Sequence, residues 1–315
     1  MKTPVSVFFF RRPDHLRQVM ARVREARPEV LFGISDGPKP GDPEVRRGVE
    51  ESRRVFRAAI DWPCRWELLE RERNLKSYLS VSRGLDWVFE RVPETIILED
   101  DTIPDASFFP FVCELLERYR QDPGVGAICG NNYDPPGTWE QNASYRFTRY
   151  HHSWGWGTWA RAWKHFDREE KLLEKWQDRR WRNSLGLSRR EVAYWDRCYQ
   201  RTYALEIDAW DYRWTLSLWA HGMKCIVPRV NLVRNIGFDA LGTNTVETDF
   251  ADHEMHDPET LRFPLTPPVA VLPDRQMDDR VFTTHYRVLE GRRNLWEKLR
   301  DRIFGKQPVC RRGRS

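Results

Sequence analysis

Residues Thr95 to Phe109 have the sequence TIILEDDTIPDASFF, in which a short apolar stretch runs directly into three carboxylates. A strand that is buried on both faces shows a continuous apolar run of this kind, which is typical of parallel sheets. Open α/β sheets bind their ligands at the carboxyl ends of such strands. The sequence therefore predicts that Glu99, Asp100 and Asp101 lie at a ligand-binding edge of a parallel sheet.

The acidic triplet is also a candidate metal site. Three adjacent anions repel one another unless a cation gathers them, and sets of oxygen ligands suit Mg²⁺ and Mn²⁺. A metal held there would in turn bind a diphosphate. The alternative is a solvated acidic loop, which is common in proteins. The strand before the triplet and the Thr-Ile-Pro-Asp turn after it favour the nucleotide and metal site.

The composition describes a globular protein with a substantial core. Of the 315 residues, 40% are hydrophobic and 31% are charged, and the net charge of +5 is the small difference between 52 basic and 47 acidic side chains. A dedicated nucleic-acid binder would carry a more basic domain, so we expect no nucleic-acid partner. No apolar run approaches the ~20 residues that span a membrane. The six cysteines are scattered and form no CxxC pair, which favours reduced thiols and a cytoplasmic location.

Strand and helix patterns alternate through the first 130 residues. Apolar runs at residues 5–10, 29–35, 65–70, 95–98 and 125–129 predict strands, and helical apolar periodicity separates them. This alternation predicts right-handed crossovers and a mostly parallel, twisted α/β sheet flanked by helices. We expect a nucleotide-binding half at residues 1–130, a second half of the same domain at 131–275, and a C-terminal helix with a basic tail at 276–315.

Two further polar positions follow the first two predicted strands. Arg11 and Arg12 end the first strand, where a guanidinium can bind phosphate or a base edge through paired hydrogen bonds or can simply be solvated. Asp36 begins an Asp-Gly-Pro turn after the second strand, and that turn alone explains its presence equally well. Both strands end at the edge where the acidic triplet is expected.

The second half of the chain is unusually rich in tryptophan, with eleven of the fifteen between Trp139 and Trp219. Aromatic faces pack against sugar rings, so Trp154 and Trp156 are candidates for binding a glycan acceptor. The three-residue spacing of Trp156 and Trp159 also fits one face of a buried helix. Both interpretations stay open for these tryptophans.

A single carboxylate in the second half is the candidate catalytic base. Asp211 lies in Ala-Trp-Asp-Tyr-Arg-Trp, and partial burial among aromatic side chains would raise its pKa toward a useful value. Tyr212 is a further candidate acceptor contact. Asp208 competes with Asp211 for the role of base, and either carboxylate could instead cap a helix.

Together these segments resemble the sugar-nucleotide glycosyltransferases of the GT-A fold. The triplet resembles that of the inverting N-acetylglucosaminyltransferase I group and its bacterial relatives, and His151 to Trp163, Trp210 to Trp214 and Asn231 to Gly237 resemble other segments of that group. The resemblance covers residues 4 to 245.

The resemblance implies a metal-dependent inverting hexosyl- or N-acetylhexosaminyltransferase of bacterial polysaccharide or glycolipid assembly, using a nucleoside diphosphate sugar, with UDP favoured. It implies that Asp101 binds Mn²⁺ or Mg²⁺ and that Asp211 is the base. Glu99 and Asp100, with Arg11 and Asp36, would bind the donor. A sugar-phosphate nucleotidyltransferase and a non-catalytic, tryptophan-rich glycan-binding protein are the alternatives.

The sequence departs from the resembled group at two places. Lys76 stands where relatives often carry glycine, either as a new phosphate contact or as a neutral surface change. Asn244 stands where a histidine is usual, so His253 or His256 could complete the metal site in its place. A basic, amphipathic helix is predicted from Tyr286 to Phe304, which could lie on the inner face of a membrane or dock on its own domain.

Overall fold

The structure is a computed structural model that describes residues 1–135, 137–139, 142–238 and 257–286. The strands are β1 (Val5–Phe9), β2 (Val30–Ser35), β3 (Arg65–Glu70), β4 (Glu94–Glu99), β5 (Thr102–Pro104), β6 (Val125–Cys129), β7 (Tyr145–Thr148), β8 (Trp156–Trp159), β9 (Lys224–Pro228) and β10 (Val233–Asn235). The helices are α1 (Pro13–Ala26), α2 (Pro43–Ala58), α3 (Lys76–Phe89), α4 (Phe108–Arg118), α5 (Ala160–Trp163), α6 (Leu172–Gln177), α7 (Arg179–Ser184), α8 (Arg189–Tyr203), α9 (Asp211–Ala220) and α10 (Arg275–Val281), and a π-helical segment, Phe282–Tyr286, follows the last of them.

Eight strands form the central sheet in the order β3-β2-β1-β4-β8-β6-β9-β7. Strands β3, β2, β1 and β4 are mutually parallel, and β6 is parallel to β9. Strands β8 and β7 run antiparallel to their neighbours. The short strands β5 and β10 form a separate antiparallel pair. The predicted α/β class with a mostly parallel sheet is therefore confirmed.

The helices on the first half follow the apolar periodicity of the sequence. Helix α1 begins at Pro13, whose missing N–H costs nothing in a first helical turn. Its predicted apolar face, Leu16, Val19, Met20 and Val23, is fully buried against the sheet. Helix α2 is capped by the Asp42 side chain, which accepts a hydrogen bond from the backbone N–H of Val45.

The helical interpretation of the spacing between Trp156 and Trp159 is wrong, because both residues belong to strand β8. This strand lies between β4 and β6 and bonds to both, so its backbone groups are paired within the sheet. In a strand, side chains three residues apart point to opposite faces. Trp156 and Trp159 accordingly lie in the two separate hydrophobic cores, one on each face of the sheet.

Most of the tryptophans in the second half are core residues. Six are exposed by less than 2%, namely Trp156, Trp159, Trp163, Trp176, Trp195 and Trp214. Trp156, Trp163 and Trp214 pack on one another with ring centroids 5.0 to 6.3 Å apart. Aromatic side chains bury a large apolar area each, so this cluster stabilises the second half of the domain.

Several predictions fall outside the described residues. These are the loop containing Asn244, the candidate ligands His253 and His256, and the basic helix beyond Tyr286. Among the helices that the structure describes, none has the length and apolar character to cross a membrane.

Candidate active site

The acidic triplet lies at the carboxyl end of the sheet, as predicted. Glu99 is the last residue of β4, and Asp100 and Asp101 form the turn between β4 and β5. The neighbouring strand β1 ends beside them, and the backbone N–H of Phe10 donates to Asp100 Oδ2 at 3.1 Å. The hydroxyl of Thr102 accepts from the Glu99 N–H at 2.9 Å and holds the turn closed.

Arg12 is the cation that gathers two of the three carboxylates. Its Nη2 atom donates to Asp100 and to Asp101 Oδ2, the latter at 2.8 Å, and its side chain is only 11% exposed. Burial by itself would lower the pKa of Arg12, but the two carboxylates outweigh it and raise that pKa. Of the two sequence alternatives for Arg12, solvation does not hold, because the guanidinium is a fixed part of the acidic turn.

The triplet carries more negative charge than Arg12 offsets. Burial, together with the charges of Asp101 and Asp100, raises the pKa of Glu99 to about 8 against the opposing charge of Arg12. Burial also raises the pKa of Asp100, against the influence of Arg12. The charge of Asp211 contributes to the raised pKa of Glu99, which places the candidate base within electrostatic reach of the triplet.

The residues of the turn fit one mode of divalent metal binding. Among the described residues no three metal-ligating side chains converge on one point. Mg²⁺, however, is usually held by one or two carboxylates together with substrate phosphates and water. Asp101, whose side chain is 15% exposed, and the excess of carboxylate charge around it suit that mode.

A second loop closes on the acidic turn from the end of β10. The backbone N–H of Ile236 donates to the carbonyl oxygen of Asp101 at 2.9 Å, and the Asn235 side chain accepts from the N–H of Gly237 at 2.7 Å. A β-carbon at position 237 would lie 2.1 Å from Asp101 Oδ2, so only glycine allows this approach. The Asn-Ile-Gly sequence therefore buttresses the turn.

A cavity of about 550 Å³ joins the two halves of the candidate site. Glu99 and Asp101 line it from the end of the sheet, and Asp211 and Tyr212 line it from the start of α9. Trp154 lies on its wall as well. The sequence-predicted metal, base and acceptor residues are thus brought together, although they come from distant segments.

Asp211 is a half-buried carboxylate at the beginning of α9. Burial raises its pKa, and the backbone N–H groups of Asp211 and Tyr212 oppose the rise. A raised pKa is also what the sequence predicted from the aromatic residues next to Asp211. A carboxylate with a raised pKa is a better proton acceptor near neutral pH than an ordinary aspartate.

A smaller cavity of about 240 Å³ adjoins the larger one and shares Arg12, Ser77, Glu99 and Asp208 with it. Its other polar lining residues include Arg11, Asp36, Lys39, Lys76 and Asp100. The remaining lining is mostly apolar and includes the side chains of Phe8, Ile34 and Val81. The two cavities form one cleft, with basic and acidic side chains together at one end and aromatic side chains at the other.

Asp36 holds two loops together at the edge of the smaller cavity. Its carboxylate accepts from the N–H of Gly37 at 2.9 Å, from the Asn74 amide at 2.9 Å and from the N–H of Leu75 at 3.0 Å. Burial raises the pKa of Asp36 in spite of these bonds. Asp36 therefore positions the loop before α3, and its contact with the donor stays a prediction.

Trp156 does not line the cavity, in contrast to Trp154 and Tyr212. It is fully buried and stacks on Trp210 with ring centroids 5.3 Å apart. Its position favours the core interpretation. The ring of His151 packs against Trp156, with ring centroids 4.7 Å apart, and His151 lines the cavity.

Two histidines of the cavity, which the sequence offered as possible ligands or as structural residues, are deeply buried. Burial lowers the pKa of His151 well below its usual value and that of His152 to about 4, so both imidazoles are neutral at pH 7. Tyr133 stacks on His285 with ring centroids 3.6 Å apart. His285 comes from the π-helical segment near the end of the described chain, and no pattern in the sequence connects it with the loop of Tyr133.

No protein-family model matches this sequence, and no curated protein matches it. Among solved structures, the fold is similar to that of S. aureus TarS 1–349, with a TM-score of 0.41 and 9% sequence identity over 75% of this chain. The match covers 61% of the TarS chain, so this chain spans less than two thirds of that structure's length. The fold is also similar to UDP-glucose pyrophosphorylase complexed with UDP-glucose, with a TM-score of 0.36 and 7% identity over 73% of this chain and 90% of that chain. These similarities concern the fold alone.

Proposed function

We propose that this protein is a metal-dependent, inverting glycosyltransferase that moves a sugar from a nucleoside diphosphate donor to a hydroxyl of a glycan or glycolipid. The observation that carries the proposal is that Glu99, Asp101 and Asp211 line one cavity. A carboxylate pair at the sheet edge and a separate carboxylate with a raised pKa across the cavity have the chemistry that inversion needs.

Asp211 is the proposed base. It would accept the proton of the acceptor hydroxyl as that oxygen attacks the anomeric carbon from the face opposite the donor phosphate. The bond from the anomeric carbon to the phosphate oxygen breaks in the same step, and the nucleoside diphosphate leaves with the electron pair. Because attack and departure occur on opposite faces, the configuration at the anomeric carbon inverts.

The donor would occupy the end of the cleft that contains the basic residues, with the nucleoside in the smaller cavity and the sugar toward Asp211. Arg11 lines the smaller cavity, and its Nε atom is buried without a hydrogen-bond partner in the structure. Glu99 and Asp100 would contact the donor sugar or ribose. Mg²⁺ or Mn²⁺ held by Asp101 would offset the charge of the departing diphosphate.

The acceptor would occupy the aromatic end of the cleft. Trp154 and Phe238 meet edge to face at that end with ring centroids 5.6 Å apart, and Tyr133 meets Trp154 at 5.3 Å. Such faces pack on the apolar faces of sugar rings. The neutral imidazoles of His151 and His152 suit an uncharged polyol better than an ionic acceptor.

The proposal is tested first by ligand binding. Thermal unfolding would be followed with UDP-, GDP- and dTDP-sugars, in Mn²⁺ and then in EDTA. A ligand at ~100 times its dissociation constant should stabilise the fold by about 2.7 kcal/mol. We expect one nucleotide to stabilise the protein only with metal, and Asp101→Asn to lose that effect. The matched control is Asp14→Asn, which changes an aspartate exposed by 85% on α1.

Product analysis separates the alternatives. A glycosyltransferase releases a nucleoside diphosphate when an acceptor is added, whereas a nucleotidyltransferase makes the sugar nucleotide from a nucleoside triphosphate and a sugar phosphate. Binding of glycans without any metal-dependent binding of nucleotides would instead favour a non-catalytic glycan-binding protein and would refute the proposal.

A further inference from the structure

Lys76, the first residue of α3, has a left-handed backbone with φ of +63°. This conformation costs a residue with a β-carbon free energy that glycine does not pay. Non-glycine residues persist in such conformations only where the surrounding structure fixes them, and they cluster at ligand-binding sites. What sets Lys76 apart from Arg27, which is also left-handed, is that it lines a cavity of the candidate site.

Two carboxylates fix the backbone on either side of Lys76. Before it, Asp36 accepts a hydrogen bond from the N–H of Leu75 at 3.0 Å. After it, Asp208 Oδ2 accepts from the N–H of Ser77 at 2.8 Å. Asp36 is tied to the end of β2 and Asp208 to the loop before α9, so the two carboxylates hold the strained residue from separate parts of the fold.

Lys76 lines the smaller cavity together with Arg11 and Lys39. The carboxylates of Asp36 and Asp208 in the same cavity already accept backbone N–H groups. Among the residues that the structure describes, the Lys76 ammonium forms no ion pair. Lys76 is thus a solvent-exposed cation at the edge of a cavity that also has apolar walls, and a charged phosphate and an apolar base could both be bound there.

We propose that Lys76 binds the diphosphate of the nucleotide donor and that its strained backbone is retained to direct the ammonium there. This inference rests on the proposed function, because it places the same donor in the same cleft. It adds a specific phosphate-binding residue where glycine would make the loop more stable. Affinity and stability are therefore in conflict at this position.

The test compares three variants. Lys76→Gly removes both the charge and the strain, and Lys76→Ala removes the charge alone. Arg27→Gly is the matched control, because Arg27 is also left-handed, with φ of +48°, but ends α1 outside both cavities. Affinity for UDP, GDP and dTDP with Mn²⁺, and for the corresponding nucleosides, would be measured by calorimetry, and melting temperature by thermal unfolding.

We expect Lys76→Gly and Lys76→Ala to weaken binding of the preferred nucleoside diphosphate about tenfold, the effect of losing one charged hydrogen bond, with no change for the nucleoside. Lys76→Gly and Arg27→Gly should melt no lower than the wild type, and Arg27→Gly should bind as the wild type does. Unchanged diphosphate affinity in both Lys76 variants would overturn the inference alone. An equal loss for nucleoside and diphosphate would also overturn it, since that result indicates a distorted loop. If the wild type binds no nucleoside diphosphate, the proposed function and this inference fail together.

Discussion

Asp208 caps helix α3 from a distant part of the chain, with its Oδ2 atom 2.8 Å from the backbone nitrogen of Ser77, 131 residues earlier. Its Oδ1 atom accepts from the N–H of Tyr78 at 3.1 Å. The N-terminus of α3 is thereby closed by a side chain from the loop before α9. Both oxygens of the Asp208 carboxylate thus accept backbone N–H groups, which favours Asp211 over Asp208 as the proposed base.

Asp208→Ala should therefore destabilise the protein rather than act on the chemistry directly. Loss of a capping carboxylate costs about 1 kcal/mol of unfolding free energy, which a urea titration would measure. Asp208→Asn, which keeps one acceptor oxygen, should lose less and should retain sugar transfer. If Asp208→Asn lost sugar transfer while Asp211→Asn kept full transfer, Asp208 and not Asp211 would be the base.

In contrast to Asp208→Ala, Asp211→Asn should impair catalysis without destabilising the protein. Removal of a general base lowers the rate by 10² to 10⁴, so we expect transfer to fall at least a hundredfold while donor affinity is unchanged.

Because burial raises the pKa of Asp211, its ionised form is disfavoured in the folded state. The neutral amide should therefore raise the melting temperature at pH 7. In the wild type, transfer should decline as the pH falls toward the raised pKa, at a higher pH than an ordinary aspartate would give. A wild-type rate in Asp211→Asn would exclude it as the base.

Arg12→Ala should be strongly destabilising, because it leaves Asp100 and Asp101 without their shared cation. Removing one partner of a buried ion pair lowers the free energy of unfolding by about 3 to 5 kcal/mol. Denaturant unfolding at pH 7 would measure the loss. The control is Arg17→Ala, whose arginine is 51% exposed in its pairs with Asp14 and Glu51 and should cost less than ~1 kcal/mol. Equal effects of the two substitutions would show that the acidic turn does not depend on Arg12.

Asp278 should make stability depend on pH in the weakly acidic range. This buried carboxylate on α10 accepts from Thr148 and from Arg149 Nε, the latter at 3.0 Å, and burial raises its pKa to about 6. Since the folded pKa exceeds the unfolded value, the folded state holds a proton that the unfolded state has released, and this contribution to stability is lost as the pH rises through about 6. Asp278→Asn imitates the protonated form. Its stability relative to the wild type should rise between pH 4 and 7, as unfolding at several pH values would reveal. A difference that does not change with pH would contradict the raised pKa.

The elements of the first half follow from local patterns. The apolar spacing of Leu16, Val19, Met20 and Val23 predicted the buried face of α1, and the run before Glu99 predicted β4. Trp156 and Trp159 show where this reasoning fails. Three-residue spacing suits a helix locally, but hydrogen bonding to β4 and β6 on both sides made that segment a strand.

The sequence by itself determined the chemistry available to this protein: the acidic triplet at a strand end, Asp211 among aromatic residues, and an α/β sheet to carry them. These follow from residue type and short-range periodicity, which act within a few residues. Only the tertiary structure decided which groups meet: Arg12 with Asp100 and Asp101, Asp208 with Ser77, and Asp211 with the cavity of Glu99. The physical reason is that hydrogen bonds and ion pairs depend on distances of about 3 Å, and chain folding, not sequence separation, sets those distances.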